Sequence, residues 1–119
     1  MVLEIHESKG EKYRKVNFGG SGEQLILDIL ENLGNMAAGK FVAKPGSSWE
    51  EDQMYEEFVF MIEGDLTVKD RETGKEVKAS AGDVVFVSYA KLKWSTEKGC
   101  ELWFVSYPPW KTAPPPQLG

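Results

Sequence analysis

Within one short stretch the chain sets out two carboxyls, a primary amide and a phenol: Glu51, Gln53, Tyr55 and Glu57. Read as a strand over Tyr55 to Ile62, the backbone alternation puts Tyr55, Val59 and Met61 on the same face as Glu57. Glu51 and Gln53 precede that strand in a polar stretch, either as solvated residues or at the mouth of a pocket. Further along, Lys93 shares the face of a second strand with Lys91 and Ser95. These residue types suit proton movement and ligand binding. A carboxyl transfers a proton when burial or a neighbouring charge moves its pKa, and an ammonium holds a carboxylate or steadies a developing enolate. Tyr55 is a hydroxyl donor to a ligand or an aromatic at the rim whose oxygen reaches water. The candidate site residues are therefore Glu51, Gln53, Tyr55, Glu57, Lys93 and Ser95, with Glu57, Lys93 and Tyr55 the candidates for catalysis.

Other chemistries find little support. The chain has a single histidine, His6, far upstream of these groups, and a single cysteine, Cys100. One cysteine makes neither an internal disulfide nor a zinc site, and Cys100 reads as a buried, inert thiol in a strand. Gly19-Gly20-Ser21-Gly22 looks like a phosphate cradle, but it lacks the following Lys-Ser/Thr and the helix such a loop opens, so it reads as a mobile turn. No cofactor is expected.

Short apolar runs separated by turn formers must position these groups, the pattern of an all-β sandwich or barrel. The expected strands are Glu23 to Glu31, Met36 to Ala43, Tyr55 to Ile62, Asp65 to Asp70, Glu76 to Ala79, Val84 to Val87, Leu92 to Thr96 and Cys100 to Ser106, with turns at Glu63-Gly64, Glu72-Thr73-Gly74, Ala81-Gly82-Asp83 and Lys98-Gly99. Leu25 to Leu33 carries spacing compatible with a helix and is read as a strand. Residues 1–22 form an N-terminal arm with a possible edge strand, 23–107 the β-barrel, and 108–119 a proline-rich tail that blocks helix and central strand alike. On the strand of Glu57 the opposite face carries Phe58, Phe60 and Ile62. That face also needs cover, and a homodimer would supply it.

A chain of 119 residues with 41% apolar and 28% charged residues is one globular domain. Its net charge of -5 disfavours nucleic acid and anionic membrane surfaces as partners. No segment has signal-peptide or membrane-helix character, and a cytoplasmic location is expected.

Gly46, Glu51, Gln53, Glu57 and Gly64 follow the spacing of the first motif of the cupin superfamily, with one residue fewer between the glycine and the first ligand position. Gly82-Asp83, the run Val84-Val85-Phe86-Val87 and Lys93 follow its second motif, with Ser88 and Ala90 where proline and glycine are usual. Over Pro45 to Glu97 the chain resembles a small single-domain cupin. The ending Phe104-Val105-Ser106-Tyr107-Pro108-Pro109-Trp110 resembles the ethanolamine-utilisation cupins of the EutQ type. The resemblance implies a cupin barrel, that is, a double-stranded β-helix or jelly roll, with both motifs converging so that Glu57 and Lys93 meet inside. Metal-binding cupins carry histidines where this chain has Glu51, Gln53 and Lys93. A protonated lysine offers no lone pair and repels a cation, so no bound metal is expected. An acetate-kinase type of activity, proposed for the EutQ group, would need phosphate clamps that are not evident here. Three functions stay open. One is a metal-independent cupin that binds a small organic acid or related metabolite, possibly as a pathway accessory. Another is a cofactor-independent lyase, isomerase or cyclase using Glu57 and Lys93. The third is a packed structural protein of a metabolic assembly, with Glu57 and Lys93 as a mere ion pair.

Overall fold

The computed structural model describes residues 3–8, 12–16, 18–33 and 35–108. Among the described residues there are seven strands: β1 (Arg14–Val16), β2 (Gln24–Leu33), β3 (Met36–Ala43), β4 (Ser48–Asp70), β5 (Glu76–Ser80), β6 (Val84–Ser95) and β7 (Cys100–Tyr107). All pairings are antiparallel, and the strands follow the order β1-β2-β3-β7-β4-β5, with β6 pairing β4 off that path. The ambiguous Leu25 to Leu33 run is strand, paired with β3 from Gln24↔Ala43 onward. The proline-rich tail lies outside the described residues beyond Pro108.

The expected closed cupin barrel is corrected to an open sheet. β1 and β5 end the path and do not pair with each other. Neither end strand is suited to close it. β1 is three residues long and exposes Arg14 and Lys15, and β5 exposes Glu76 and Lys78. Charged, short edge strands stop further pairing. Beyond the named strands, a lone bridge, Ser21↔Ser48, touches the start of β4.

Two other expectations fail for local reasons. Glu63-Gly64 does not reverse the chain; it is a bend within the long β4. Gly64 has φ +86°, and a Cβ there would lie 1.9 Å from the Gly99 carbonyl oxygen, so only glycine lets β4 and β7 come this close. Likewise Gly19–Gly22 packs against β4, because a Cβ on Gly20 would stand 1.8 Å from the Ser48 carbonyl oxygen. The segment also pairs through Ser21 N–H donating to Ser48 O at 2.7 Å, and is not the free turn expected.

β4 and β6 define the frame of the site. β6 runs beside the first part of β4 from Ser48↔Ser95 to Phe60↔Val84, and its last residues pair again with the end of β4 from Thr67↔Ser95 to Asp70↔Leu92. β7 pairs the middle of β4 from Glu56↔Tyr107 to Gly64↔Cys100. One face of this arrangement is the core, where Ile26, Phe41, Trp49, Val59, Leu66, Leu92, Trp94, Leu102 and Phe104 form one apolar cluster. Cys100 joins that cluster, and burial raises its thiol pKa to about 11, in keeping with the inert thiol expected.

Candidate functional site

Along β4 the inward face alternates as Trp49, Glu51, Gln53, Tyr55, Glu57, Val59 and Met61, a polar stripe bounded by apolar residues at each end. Two residues of β4, Met54 and Tyr55, oppose the single Tyr89 of β6 between the pairs Gln53↔Ala90 and Glu56↔Ser88. Tyr89 takes φ +46° at this bulge.

A cavity opens over the stripe. Phe18, Ile26, Phe41, Trp49, Glu51, Tyr55, Glu57, Val59, Trp94, Leu102 and Phe104 line it, and its volume is small, about 40 Å³. Its walls come from distant parts of the chain. Phe41 of β3 packs on Trp49 with ring centroids 5.1 Å apart, and Phe18 packs on Phe41 at 6.3 Å.

The polar end is a chain of hydrogen bonds converging on one carboxyl. Trp49 Nε1 donates to Glu51 Oε1 at 2.9 Å, Gln53 Nε2 to Glu51 Oε2 at 3.0 Å, and the Tyr55 hydroxyl to Glu51 Oε2 at 3.2 Å. Gln53 Nε2 also reaches Glu57 Oε1, at 3.4 Å. Glu57 is only 8% exposed, and burial, with the charge of Glu51 added, pushes its carboxyl pKa up to about 8 against the opposing bond from Gln53. Burial likewise raises the Glu51 pKa, opposed by the bonds from Gln53, Trp49 and Tyr55. The Tyr55 hydroxyl is pushed up by burial and by the charges of Glu57 and Glu51, so it stays a donor at ordinary pH. At neutral pH Glu57 therefore holds a proton, and the site contains one carboxylic acid beside a hydrogen-bonded carboxyl.

Glu51, Gln53, Tyr55 and Glu57 are thus brought together, whereas Lys93 and Ser95 are not. Lys93 is exposed on the outer face, where it pairs across the ladders with Glu50 and Lys69. Ser95 is half-buried beside Ser48 and Thr67 and does not line the cavity. The inward places on that stretch belong to Leu92 and Trp94, because burying an indole and a leucine outweighs burying an ammonium. The expected meeting of Glu57 with Lys93 inside the cavity is corrected accordingly. The aromatic walls went unassigned in the sequence. The Trp49 and Trp94 rings stack at 6.2 Å with planes 3° apart on the cavity wall. The alternation of Lys91 and Lys93 with Leu92 and Trp94 was a usable signal for the second strand, while Phe18 and Phe41 reach the site only through tertiary packing.

A metal centre is what a cupin of the metal-binding kind would hold here, and these residues do not fit one. Among the described residues no group of three or more His, Cys, Asp or Glu side chains is placed to hold an ion. A donor, Gln53 Nε2, sits between the two carboxyls, and among the described residues no imidazole lines the cavity.

An all-β fold of cupin type, with an aromatic cavity closed at one end by acidic residues, defines the class. A family model described as EutQ-like cupin domain matches residues 30–106, so the chain belongs to the EutQ-like cupin family. Among solved structures it is similar to a Salmonella typhimurium protein described as ethanolamine utilization protein Q, at TM-score 0.79 and 20% identity, covering 90% of this chain and 87% of that one. It is similar to the EutQ protein of Clostridium difficile at TM-score 0.71 and 21% identity, covering 79% and 75%. It is also similar to the polyketide cyclase RemF of Streptomyces resistomycificus at TM-score 0.75 and 13% identity, covering 100% and 88%. At these identities the likeness establishes a common fold. No match is found among curated proteins.

Proposed function

We propose that the chain is a small-molecule-binding cupin that works without a transition metal, its guest lying between the aromatic walls and the Glu51–Glu57 end of the cavity. The observation that carries this reading is the cavity itself, apolar over most of its lining with a few convergent polar groups, the usual make-up of a metabolite site. Membership of the EutQ-like family supports a metabolic setting. The organic-acid guest expected from an inward Lys93 loses its support, because the cavity lining offers carboxyls where that guest needs a cation. Acid-base chemistry remains compatible with the site through Glu57 and Tyr55, without Lys93 as partner. Thermal-shift screening of metabolites on the wild type and on Glu57→Gln tests the binding reading. A guest that stabilises the wild type and loses that effect in the variant supports it, and a metabolite panel without any stabilising guest contradicts it.

The outer face of the sheet favours a second element of the reading, a homodimer. Phe58 and Phe86 are cross-strand partners with ring centroids 4.9 Å apart, and Phe60 pairs with Val84 beside them. Phe58 is 46% and Phe86 52% exposed, and Ile62 extends the patch. These five positions carry no charge, so a second copy of a chain with net charge -5 meets least repulsion there. Such a contiguous apolar face calls for cover in a protein that stays in solution.

A further inference from the structure

We infer that the guest of the cavity is a small organic ammonium ion, its nitrogen seated at Glu51 and Glu57 and its carbon chain against Trp49, Phe41 and Trp94. The inference rests on the small-molecule reading above and adds the chemical class.

The polar end has an excess of acceptors. Glu51 receives bonds from Trp49, Gln53 and Tyr55, which leaves Glu57 with a single long bond at 3.4 Å. Gln53 is only 2% exposed, its amide is set against both carboxyls, and its Oε1 has no hydrogen-bond partner among the described residues. That oxygen is not part of the cavity lining, whereas both carboxyls are, and Glu57 is the one left short of donors there. An ammonium group brings three donors and no acceptor, the complement of this set.

Charge decides between guests of similar size. The lining contains two carboxyls and neither Lys, Arg nor His. A carboxylate guest would find no cation. A neutral alcohol supplies one donor but no positive charge to favour ionisation of the buried carboxyls. An ammonium supplies both, and the faces of Trp49, Trp94 and Phe41 add cation–π attraction in a site shielded from water. Trp94 Nε1 is the other buried polar atom without a partner, and it would meet an acceptor substituent on the same guest.

Isothermal titration of the full chain with propylammonium chloride, 1-propanol and sodium propionate at constant ionic strength tests the inference. Propylammonium should bind about tenfold more tightly than 1-propanol, propionate should not bind, and Glu51→Gln or Glu57→Gln should each weaken propylammonium about tenfold and 1-propanol by clearly less. The isosteric substitutions remove an ionisable group from a buried site and keep its volume. Should either variant fail to fold, the order of the three guests on the wild type still decides. Binding of 1-propanol or propionate as tight as that of propylammonium overturns the ammonium assignment and leaves the binding pocket intact. Silence from all three guests overturns both readings.

Discussion

Trp49 and Trp94 face each other across the β4–β6 ladder, their rings 3° from parallel with centroids 6.2 Å apart. This pair fixes which way each strand faces. Trp49 inward carries Glu51, Gln53, Tyr55 and Glu57 with it at two-residue steps, and Trp94 inward turns its neighbour Lys93 out. The acidic end of the cavity and the outward lysine are consequences of one stacked contact.

Lys93→Ala should therefore be nearly silent. Stability should change by no more than about 0.5 kcal/mol, and guest affinity by less than about twofold, as for other exposed positions. Chemical denaturation and ligand titration check this, and a large loss of affinity would place the ammonium at the site after all.

Stability should fall as pH rises. The Glu57 carboxyl sits at about 8 in the folded chain against an ordinary value of 4.5, so the native state holds its proton more tightly than the unfolded state. That contribution is complete below about pH 4.5, declines between the two values and is gone above about pH 8, with Glu51 shifted in the same direction. Melting temperatures from pH 5 to pH 9 should drop in the wild type, by an amount on the order of a few kcal/mol in stability. Glu57→Gln should flatten the profile. A wild-type curve that rises over this range would contradict the buried, protonated state.

Much of this was legible in the sequence, and the misses have physical causes. β3 runs from Met36 to Ala43 as the apolar alternation indicates, and the face shared by Tyr55, Glu57, Val59 and Met61 is the inward one. Local periodicity reports such things directly. Lys93 was misplaced because a motif position was carried over instead of the parity of Leu92 and Trp94. The apolar parity changes from Val85 and Val87 to Leu92 and Trp94 across the bulge at Tyr89, which a position count does not see. Barrel closure came from the cupin resemblance, yet closure depends on whether the two end strands can pair. Phe18 and Phe41 belong to the site through contacts between distant segments, and no local pattern records those.

Gly64→Ala and Gly74→Ala should separate close packing from backbone preference. Both glycines have positive φ, but a Cβ on Gly64 meets the Gly99 carbonyl at 1.9 Å, whereas one on Gly74 meets nothing within 4 Å. Gly74→Ala should cost about 1 to 2 kcal/mol, and Gly64→Ala roughly 3 kcal/mol or more or prevent folding. Equal costs would contradict the close approach of β4 to β7.

The outer aromatic face should hold the dimer. Light scattering after size exclusion should give twice the chain mass for the wild type at micromolar concentration, and Phe58→Asp with Phe86→Asp should give a monomer of unchanged secondary structure. A wild-type monomer would leave that face without the proposed partner.

The central claim is that a small guest enters between the stacked indoles and the acidic stripe, and the indole N–H signals of a ¹H–¹⁵N spectrum report on it most directly. On titration with propylammonium the signals of Trp49 and Trp94, assigned with that of Trp103 through Trp49→Phe, Trp94→Phe and Trp103→Phe, should move together and saturate, while that of Trp103 on the outer face under Lys40 stays in place. Shifts confined to Trp103, or none at all with any guest tried, would contradict the account.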